Sequence, residues 1–220
     1  MAKASRKSGE DEQAKAGVSR RTGQEARRQA ILDAALTEFA ERGFEAARLD
    51  DIAARAGVAK GTLYLYFDDK EKLFEALIRN AVDPIIGRLD ALAEAQNLPV
   101  EEVLGALFST FENEVLGTKR KLLMRLLIAE GPRFPAIAEF HYRNVVSRIM
   151  PLIRKVAERA VERGEFSTDA AARFPQLIAA PLITAVIWDA LFSRIEPLDA
   201  GALFRAHLEI LTCAPGRTPK

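Results

Sequence analysis

The sequence is poor in the side chains that catalysis, metal binding and disulfides require. Its 220 residues include one cysteine, Cys213, and two histidines, His141 and His207. A single cysteine excludes an intramolecular disulfide and fits a reducing cytoplasm. The chain also contains no HExxH, paired CxxC, nucleophile-elbow or glycine-rich phosphate-loop motif. We therefore expect no catalytic residue, no metal site and no cofactor, and an enzyme is disfavoured.

Long apolar runs and strand-like alternation are also missing. No stretch approaches the roughly 18 apolar residues of a membrane span, and the N-terminal segment lacks the apolar centre of a signal peptide. We expect a cytoplasmic protein without a membrane segment. Apolar residues instead recur at helical spacing in successive segments with short breaks between them, so the predicted fold class is all-α.

The segment from Arg27 to Phe74 predicts three short helices and the start of a fourth. The middle helix has an apolar stripe with helical spacing, formed by Leu49, Ile52, Ala53 and Ala56. Gly57 follows it, and glycine closes a helix C-terminus easily because it adopts the left-handed conformation. The next helix, roughly Lys60 to Phe67, buries Leu63 and Phe67. Two helices joined by a turn of about three or four residues form a helix-turn-helix.

The second of these helices carries side chains that suit a nucleic acid. A cation, hydroxyls and flat rings point outward, from Lys60, Thr62, Tyr64 and Tyr66. Asp69 is placed to cap the following helix, but Lys70 at its first position opposes the helix dipole. A phosphate bound at that N-terminus would relieve the misfit. The alternative is that Lys70 points into solvent.

These residues carry a specific resemblance. The string GVAKGTLYLYFDDKEKLF, within residues 24–78, resembles the turn, recognition helix and fourth-helix start of the TetR/AcrR family of transcriptional regulators. The resemblance implies an all-helical homodimeric repressor that a small molecule releases from double-stranded operator DNA. By matching position it places Lys60, Gly61, Thr62 and Leu65 in the major groove. It places Tyr64, Tyr66 and Lys70 on backbone phosphates.

Two positions depart from the family pattern. Arg48 and Ala59 stand where Ser or Thr usually caps the middle helix and Ser caps the recognition helix. Losing such a cap costs about 0.5–2 kcal/mol. We expect a phosphate contact by Arg48 to compensate, and the alternative is a solvated Arg48.

The charge of this region limits the strength of DNA binding. Residues 25–78 contain eight Lys and Arg against eleven Asp and Glu, a net charge of −3. Binding must therefore come from a local stripe of cations and depend on the dimer. Residues 1–23 form a basic arm of disordered composition, either a solubilising tail or a DNA-contacting segment.

Six further helical segments follow the helix-turn-helix. The fourth helix spans about Lys70 to Gln96 and contains Pro84, and the next three are predicted at 100–116, 119–129 and 135–163. The expected wall of a small-molecule pocket comprises Phe108, Phe111, Leu123, Leu127, His141 and Val145. Such a pocket would be apolar with one titratable group, which favours a lipophilic or aromatic effector. The alternative is that these residues are ordinary core.

The last two predicted helices suggest a dimer. The eighth, about Asp169 to Arg194, is apolar nearly all round, and the ninth is capped by Asp199. A helix apolar on all sides must be covered on all sides, so we predict an isologous four-helix interface. Its residues are Ile183, Ile187, Trp188, Leu191, Leu203, Phe204, Leu208 and Leu211. Two-fold symmetry then predicts a near-palindromic operator.

The predicted domains are thus an arm at 1–23, a DNA-binding domain at 24–78, a ligand-binding and dimerisation domain at 79–213 and a flexible tail at 214–220. A ligand-responsive repressor is the function these observations favour. One alternative is a helical dimer that binds a ligand or partner without an operator. Another is an activator, which would differ only in where its operator lies.

Overall fold

The computed structural model describes the backbone of residues 4–212 and the side chains of residues 22–212. Cys213 and the predicted tail at 214–220 lie outside these described residues. All regular structure between residues 4 and 212 is helical, which confirms the predicted all-α class. Among the described residues, no helix combines the length and apolarity that crossing a bilayer would need.

The chain divides into two compact units, with the boundary between Ala76 and Leu77. The N-terminal unit contains α1 (Ala4–Ala46), α2 (Leu49–Arg55), α3 (Lys60–Tyr64) and the first turns of α4 (Lys70–Glu94). The C-terminal unit contains the rest of α4 and seven further helices. These are α5 (Val100–Phe111), α6 (Arg120–Glu130), α7 (Pro135–His141), α8 (Ser147–Glu162), α9 (Ala170–Arg173), α10 (Gln176–Leu191) and α11 (Ala200–Thr212).

The N-terminal arm is helical where the structure describes it. Helix α1 begins at Ala4 and continues to a break at Gly43, whose φ of 77° is left-handed. The backbone is thus helical from Ala4 in this structure, and the disorder expected of the free arm over residues 1–23 stays a prediction. Its Lys, Glu, Gln, Arg and Ala residues are poor in apolar surface, but they are also good helix formers, so composition alone could not separate the two states.

Three phenylalanines form the centre of the N-terminal core. The ring centroids of Phe39 and Phe44 on α1 lie 5.4 Å apart, and both rings contact Phe74 on α4, at 5.8 and 5.5 Å. Leu63 of α3 and Ile52 of α2 are also almost fully buried. Burial of these side chains fixes the positions of the two short helices, which are too short to be stable alone.

The C-terminal unit is a helical bundle with two π-helical turns. Its core includes Leu104, Phe108, Ala157, Ile178 and Phe204, and the rings of Phe108 and Phe204 stack at 5.1 Å. Residues Glu112–Leu116 after α5 and Tyr142–Val146 between α7 and α8 are π-helical rather than α-helical. A π turn inserts one extra residue, so the apolar face rotates along the chain where it occurs.

Several predicted helix limits need correction. The recognition helix ends at Tyr64 instead of Phe67, and the segment at 100–116 is α-helical only to Phe111. The predicted helix at 135–163 is divided by a π turn, and the predicted eighth helix is divided into α9 and α10. Pro175, the N-cap of α10, accounts for the second division because proline cannot continue the hydrogen bonds of a preceding helix.

Candidate nucleic-acid interface and ligand cavity

The turn between α2 and α3 has the predicted closure at Gly57. This glycine has a φ of 67°, and its N–H donates to the carbonyl of Ala54 at 3.2 Å. The N–H of Val58 donates to the carbonyl of Ala53 at 3.0 Å, which completes a Schellman motif. The chain therefore reverses in a tight turn, and α3 begins at Lys60 with its orientation fixed by buried Leu63.

Arg48 and Ala59 occupy the N-cap positions of α2 and α3 without capping them. Arg48 has φ −116° and ψ 140°, and Ala59 has φ −65° and ψ 146°, so both are extended like ordinary N-cap residues, yet neither makes a side-chain cap bond. Asp69 does cap α4, because its Oδ1 accepts the N–H of Lys72 at 2.6 Å. The prediction that Asp69 is an N-cap is confirmed.

The outer face of the α3 region is exposed and chemically mixed. Leu65 is 84% exposed and Tyr64 is 43% exposed, whereas Leu63 and Phe67 are buried, as expected. A Cβ added to Gly61 would meet nothing within 4 Å, so this surface is open to close approach. Thr62 is half-buried. The half-buried Tyr66 donates from its hydroxyl to the carbonyl of Gln24 at 3.4 Å, a long hydrogen bond.

Lys60 is paired with a carboxylate of the preceding helix. Its Nζ lies 2.8 Å from Oδ1 and 2.9 Å from Oδ2 of Asp50 on α2. This hydrogen bond raises the pKa of Lys60, and the nearby Arg48 cation opposes the rise through charge repulsion. The side chain of Arg48 is exposed and makes no hydrogen bond or ion pair with residues 22–212. Two cations therefore share this edge of the helix-turn-helix, and one of them is neutralised.

Lys70 is held in place by the N-terminal unit. Its Nζ donates to the carbonyl of Glu45 at 2.8 Å and lies 4.9 Å from the centroid of the Phe44 ring. The side chain is half-buried, not fully solvated. An ammonium group has three donors, so these contacts leave donors that can still bind an anion.

An ion-pair network joins α1 to α2, and the sequence patterns did not predict it. The Glu38 carboxylate is 1% exposed and lies 2.9 Å from Arg42 Nε and 3.1 Å from an Arg55 nitrogen. Arg55 also bonds Glu41, which lowers the pKa of the Glu41 carboxyl and raises that of Arg55. The available signal was a charged residue on an otherwise apolar stripe, between buried Ala35 and Phe39.

The C-terminal unit contains an apolar cavity of about 170 Å³. Its walls come from α4, α5, α6, α7, α8, α10 and both π turns, and none of the described residues that line it is Asp, Glu, Lys or Arg. His141 at the end of α7 lines it. Burial lowers the pKa of His141, and its Nδ1 is buried without a hydrogen-bond partner among the described residues.

The predicted pocket residues separate into two sets. Phe111, His141 and Val145 line the cavity. Phe108, Leu123 and Leu127 do not, and Phe108 instead packs in the core against Phe204. Lining residues absent from the sequence-based set include Val82 and Ile85 on α4, Ile149 on α8 and Leu182 on α10. No periodicity within one helix could show that these three helices converge.

The predicted interface residues also separate. Phe204 and Leu208 are buried in the unit's own core, and Leu203 and Leu211 pack partly against it, so these four do not form a free surface. Trp188 is partly buried, and its Nε1 donates to the carbonyl of Glu196 at 2.7 Å. Exposed apolar side chains on α10 include Leu177 and, along one helical stripe, Ile183, Ile187 and Leu191. On α11, Ile210 is 72% exposed.

Asp199 caps α11 as predicted, because its Oδ1 accepts the N–H of Ala202 at 2.8 Å. Among the described residues no three His, Cys, Asp or Glu side chains are grouped so that they could hold a metal ion.

Two family profiles match the sequence. The profile described as "Bacterial regulatory proteins, tetR family" matches residues 31–77, which include the turn and α3. The profile described as "Tetracyclin repressor-like, C-terminal domain" matches residues 99–206. Together they cover the helix-turn-helix and most of the unit that contains the cavity.

Among similar proteins is the HTH-type transcriptional repressor KstR2. The chain is 38% identical to KstR2 of Rhodococcus jostii over 153 residues, which cover 67% of this chain and 72% of that protein. It is 36% identical to KstR2 of Mycolicibacterium smegmatis over 86 residues, which cover 39% of this chain and only 42% of that protein.

Solved structures share the fold over most of both chains. FadR from Bacillus subtilis in complex with stearoyl-CoA superposes with a TM-score of 0.64 at 22% identity, covering 84% of this chain and 97% of that chain. A SmeT–triclosan complex superposes with a TM-score of 0.70 at 20% identity, covering 89% of this chain and 98% of that chain. At these identities the likeness shows the fold alone.

Proposed function

The chain belongs to the tetR family of bacterial regulatory proteins and is a ligand-responsive, DNA-binding transcriptional repressor, and we propose how it is built to act. A homodimer binds a near-palindromic operator through two copies of the α2–α3 surface. A lipophilic or aromatic small molecule enters the cavity of the C-terminal unit and releases the DNA. The chain carries out no catalysis.

The observation that carries the DNA-binding proposal is the exposed surface around α3. Leu65 is 84% exposed next to almost fully buried Leu63, so the helix is fixed from below while its outer face has no role in the chain's own packing. We assign DNA contacts to Arg48, Lys60, Gly61, Thr62, Tyr64, Leu65, Tyr66 and Lys70. Leu65 suits a thymine methyl group, and Arg48 and Lys70 suit phosphates.

The composition of the cavity wall supports the effector class. Its described lining contains no Asp, Glu, Lys or Arg, so a buried ionic group of a ligand would find no opposite charge there. Stearoyl-CoA and triclosan, the molecules named with the FadR and SmeT structures, both contain large apolar parts. We propose that Phe111, His141 and Val145 contact the apolar part of this protein's effector.

The exposed stripe of α10 supports a homodimer. Ile183, Ile187 and Leu191 recur at intervals of four residues, which places them on one side of the helix. A contiguous apolar face of this kind suits association with a second copy. In an isologous interface the same stripe meets itself, which also supplies the two-fold axis that a palindromic operator needs.

A gel shift followed by effector release tests the proposal. The DNA upstream of the chain's own gene, at low salt, should give a specific shift with the wild-type dimer. Lipophilic and aromatic compounds that raise the thermal stability of the dimer should then be tested for release of that DNA. An effector releases DNA only if it binds the non-binding conformation more tightly.

Two variants make the release experiment specific. Ala179→Phe should fill the cavity, because Ala179 lines it, and should abolish release while retaining the shift. Ala129→Phe makes the same change at an exposed position of α6 and should leave release unchanged. A confirmed dimer with no specific shift would instead favour a ligand-binding protein without an operator. Operator binding that raises transcription would identify an activator.

A further inference from the structure

Lys60 is the only cation within α3, whose sequence is KGTLY, and the protein itself neutralises it. Both carboxylate oxygens of Asp50 lie within 2.9 Å of Lys60 Nζ. The two side chains are 61% and 44% exposed, so the pair lies on the surface assigned above to DNA. In the free protein, α3 therefore presents no uncompensated positive charge.

Stability is a weak explanation for this pair. Exposed ion pairs contribute little, because water and salt screen them and two long side chains must be held in place. Asp50 already has a favourable position as an acidic residue in the first turn of α2, where it complements the helix dipole without any lysine. The pair does, however, determine how much binding free energy a contact between Lys60 and DNA contributes.

The free energy that a Lys60 contact contributes differs between phosphates and bases. A phosphate that takes Lys60 from Asp50 replaces one exposed anion by another, so the net gain is small, and the Asp50 carboxylate is left near the DNA backbone. A guanine edge offers two acceptors, O6 and N7, that can bind one ammonium group together. An ammonium group has three donors, so Lys60 can keep its contact with Asp50 and still donate to such an edge, whereas a phosphate that takes Lys60 away costs the pair.

We infer that Asp50 is a specificity-determining residue, which holds Lys60 away from the phosphates of arbitrary DNA and leaves it a donor for a base acceptor in the operator. The inference rests on the proposed DNA-binding function. It fits the net charge of −3 over residues 25–78, because both features suppress the electrostatic part of binding, which is independent of sequence.

The test compares two duplexes of equal length and composition. One is the segment upstream of the chain's own gene that the wild-type dimer shifts, and the other is a scrambled version of it. Asp50→Asn should tighten binding to the scrambled duplex by about threefold, the size expected for loss of an exposed pair, and binding to the operator by less. The slope of log K against log salt on scrambled DNA should steepen by about 0.9, one additional phosphate contact.

A double-mutant cycle separates this role from simple charge repulsion. In a Lys60→Met background, Asp50→Asn should have no further effect on scrambled DNA, because the lysine it restrains is absent. Asp68→Asn removes the same charge from an exposed residue between α3 and α4, and it should leave the ratio of operator to scrambled affinity unchanged. Circular dichroism of each variant checks that the fold is retained.

Three results would overturn the inference. These are an unchanged affinity ratio in Asp50→Asn, a gain of equal size in the Lys60→Met background, or an equal gain in Asp68→Asn. The failure of the proposed function is distinguishable from all of these, because the wild-type dimer would then shift neither duplex specifically.

Discussion

The guanidinium group of Arg55 on α2 lies 3.1 Å from the carboxylate of Glu38 on α1, a side chain that is 1% exposed. Arg42 lies 2.9 Å from the same carboxylate, so one buried anion joins two cations and fixes α2 against α1. The orientation of α2 in turn determines where α3 begins. A buried carboxylate is therefore part of the support of the DNA-binding surface.

Glu38→Gln should destabilise the N-terminal unit by about 2–3 kcal/mol, because it removes the buried charge that forms ion pairs with Arg42 and Arg55. Hydrogen exchange of the α1 and α2 amides, together with thermal unfolding, measures this effect. Glu41→Gln removes an exposed partner of the same arginine and serves as the control with a much smaller effect. Equal protection of these amides from exchange in both variants would show that the buried carboxylate has no special role.

Lys70→Gln should weaken binding to operator and scrambled DNA by similar factors, because phosphate contacts carry no sequence information. It should also reduce the slope of log K against log salt by about 0.9. The bond to Glu45 and the contact with the Phe44 ring hold the ammonium group before DNA arrives. Lys72→Gln is the matched control, since Lys72 lies on the same turn of α4 and pairs with Glu75 at 3.0 Å. A loss of stability without a change of slope would make Lys70 purely structural.

Arg48→Thr should change stability and affinity in opposite directions. The backbone at residue 48 is already extended as an N-cap requires, so a threonine hydroxyl should stabilise α2 by about 0.5–2 kcal/mol. Loss of the cation should lower operator affinity and the salt slope together. Ala59→Ser introduces a cap on α3 without a charge change and should raise stability only. An unchanged slope in Arg48→Thr would eliminate the phosphate contact.

Sequence patterns predicted the local features of the N-terminal unit well. The buried positions of Leu63 and Phe67, the turn at Gly57 and the cap at Asp69 each depend on a few neighbouring residues, and all are confirmed. The pairing of Lys60 with Asp50 was not predictable in this way, because it depends on the angle between two helices.

The C-terminal unit shows where such patterns fail. A stripe of apolar residues shows that a helix face is covered but not by what, so Phe204 and Leu208 were assigned to a partner although they pack in the unit's own core. The π turn after α5 has no signature in periodicity. Phe108 and Phe111 lie three residues apart on α5, yet Phe108 is buried in the core and Phe111 lines the cavity.

Ile187→Glu on α10 should convert the dimer to a monomer, because it places a charge on the exposed stripe, while helix content is unchanged. Operator affinity should fall with it, since two linked half-site contacts become independent. Light scattering after size exclusion measures the mass. Phe204→Ala should instead destabilise the fold by about 3–5 kcal/mol. A dimeric Ile187→Glu would place the interface on another surface.

The depressed pKa of His141 predicts acid sensitivity of the C-terminal unit. Burial keeps the folded imidazole neutral to a lower pH than the ordinary value of 6.5, at which the unfolded chain takes up its proton. In that interval the unfolded state binds more protons, so stability falls as the pH drops below about 6.5 and levels off once folded His141 is protonated. Glu41 and Glu94 have lowered pKa values, so their contributions are lost only below about pH 4.5.

His141→Leu should therefore reduce the change of unfolding temperature with pH between about pH 7 and about pH 5. His207→Leu should reduce this pH dependence less, because the pKa of His207 is lowered by burial but a backbone hydrogen bond with Leu177 opposes that shift. The same variants also test the cavity, since His141 lines it and His207 does not. An effector that stabilises the wild-type and His207→Leu proteins equally, but not His141→Leu, would place its binding site against His141. Equal stabilisation of all three proteins would exclude a contribution of the imidazole to effector binding.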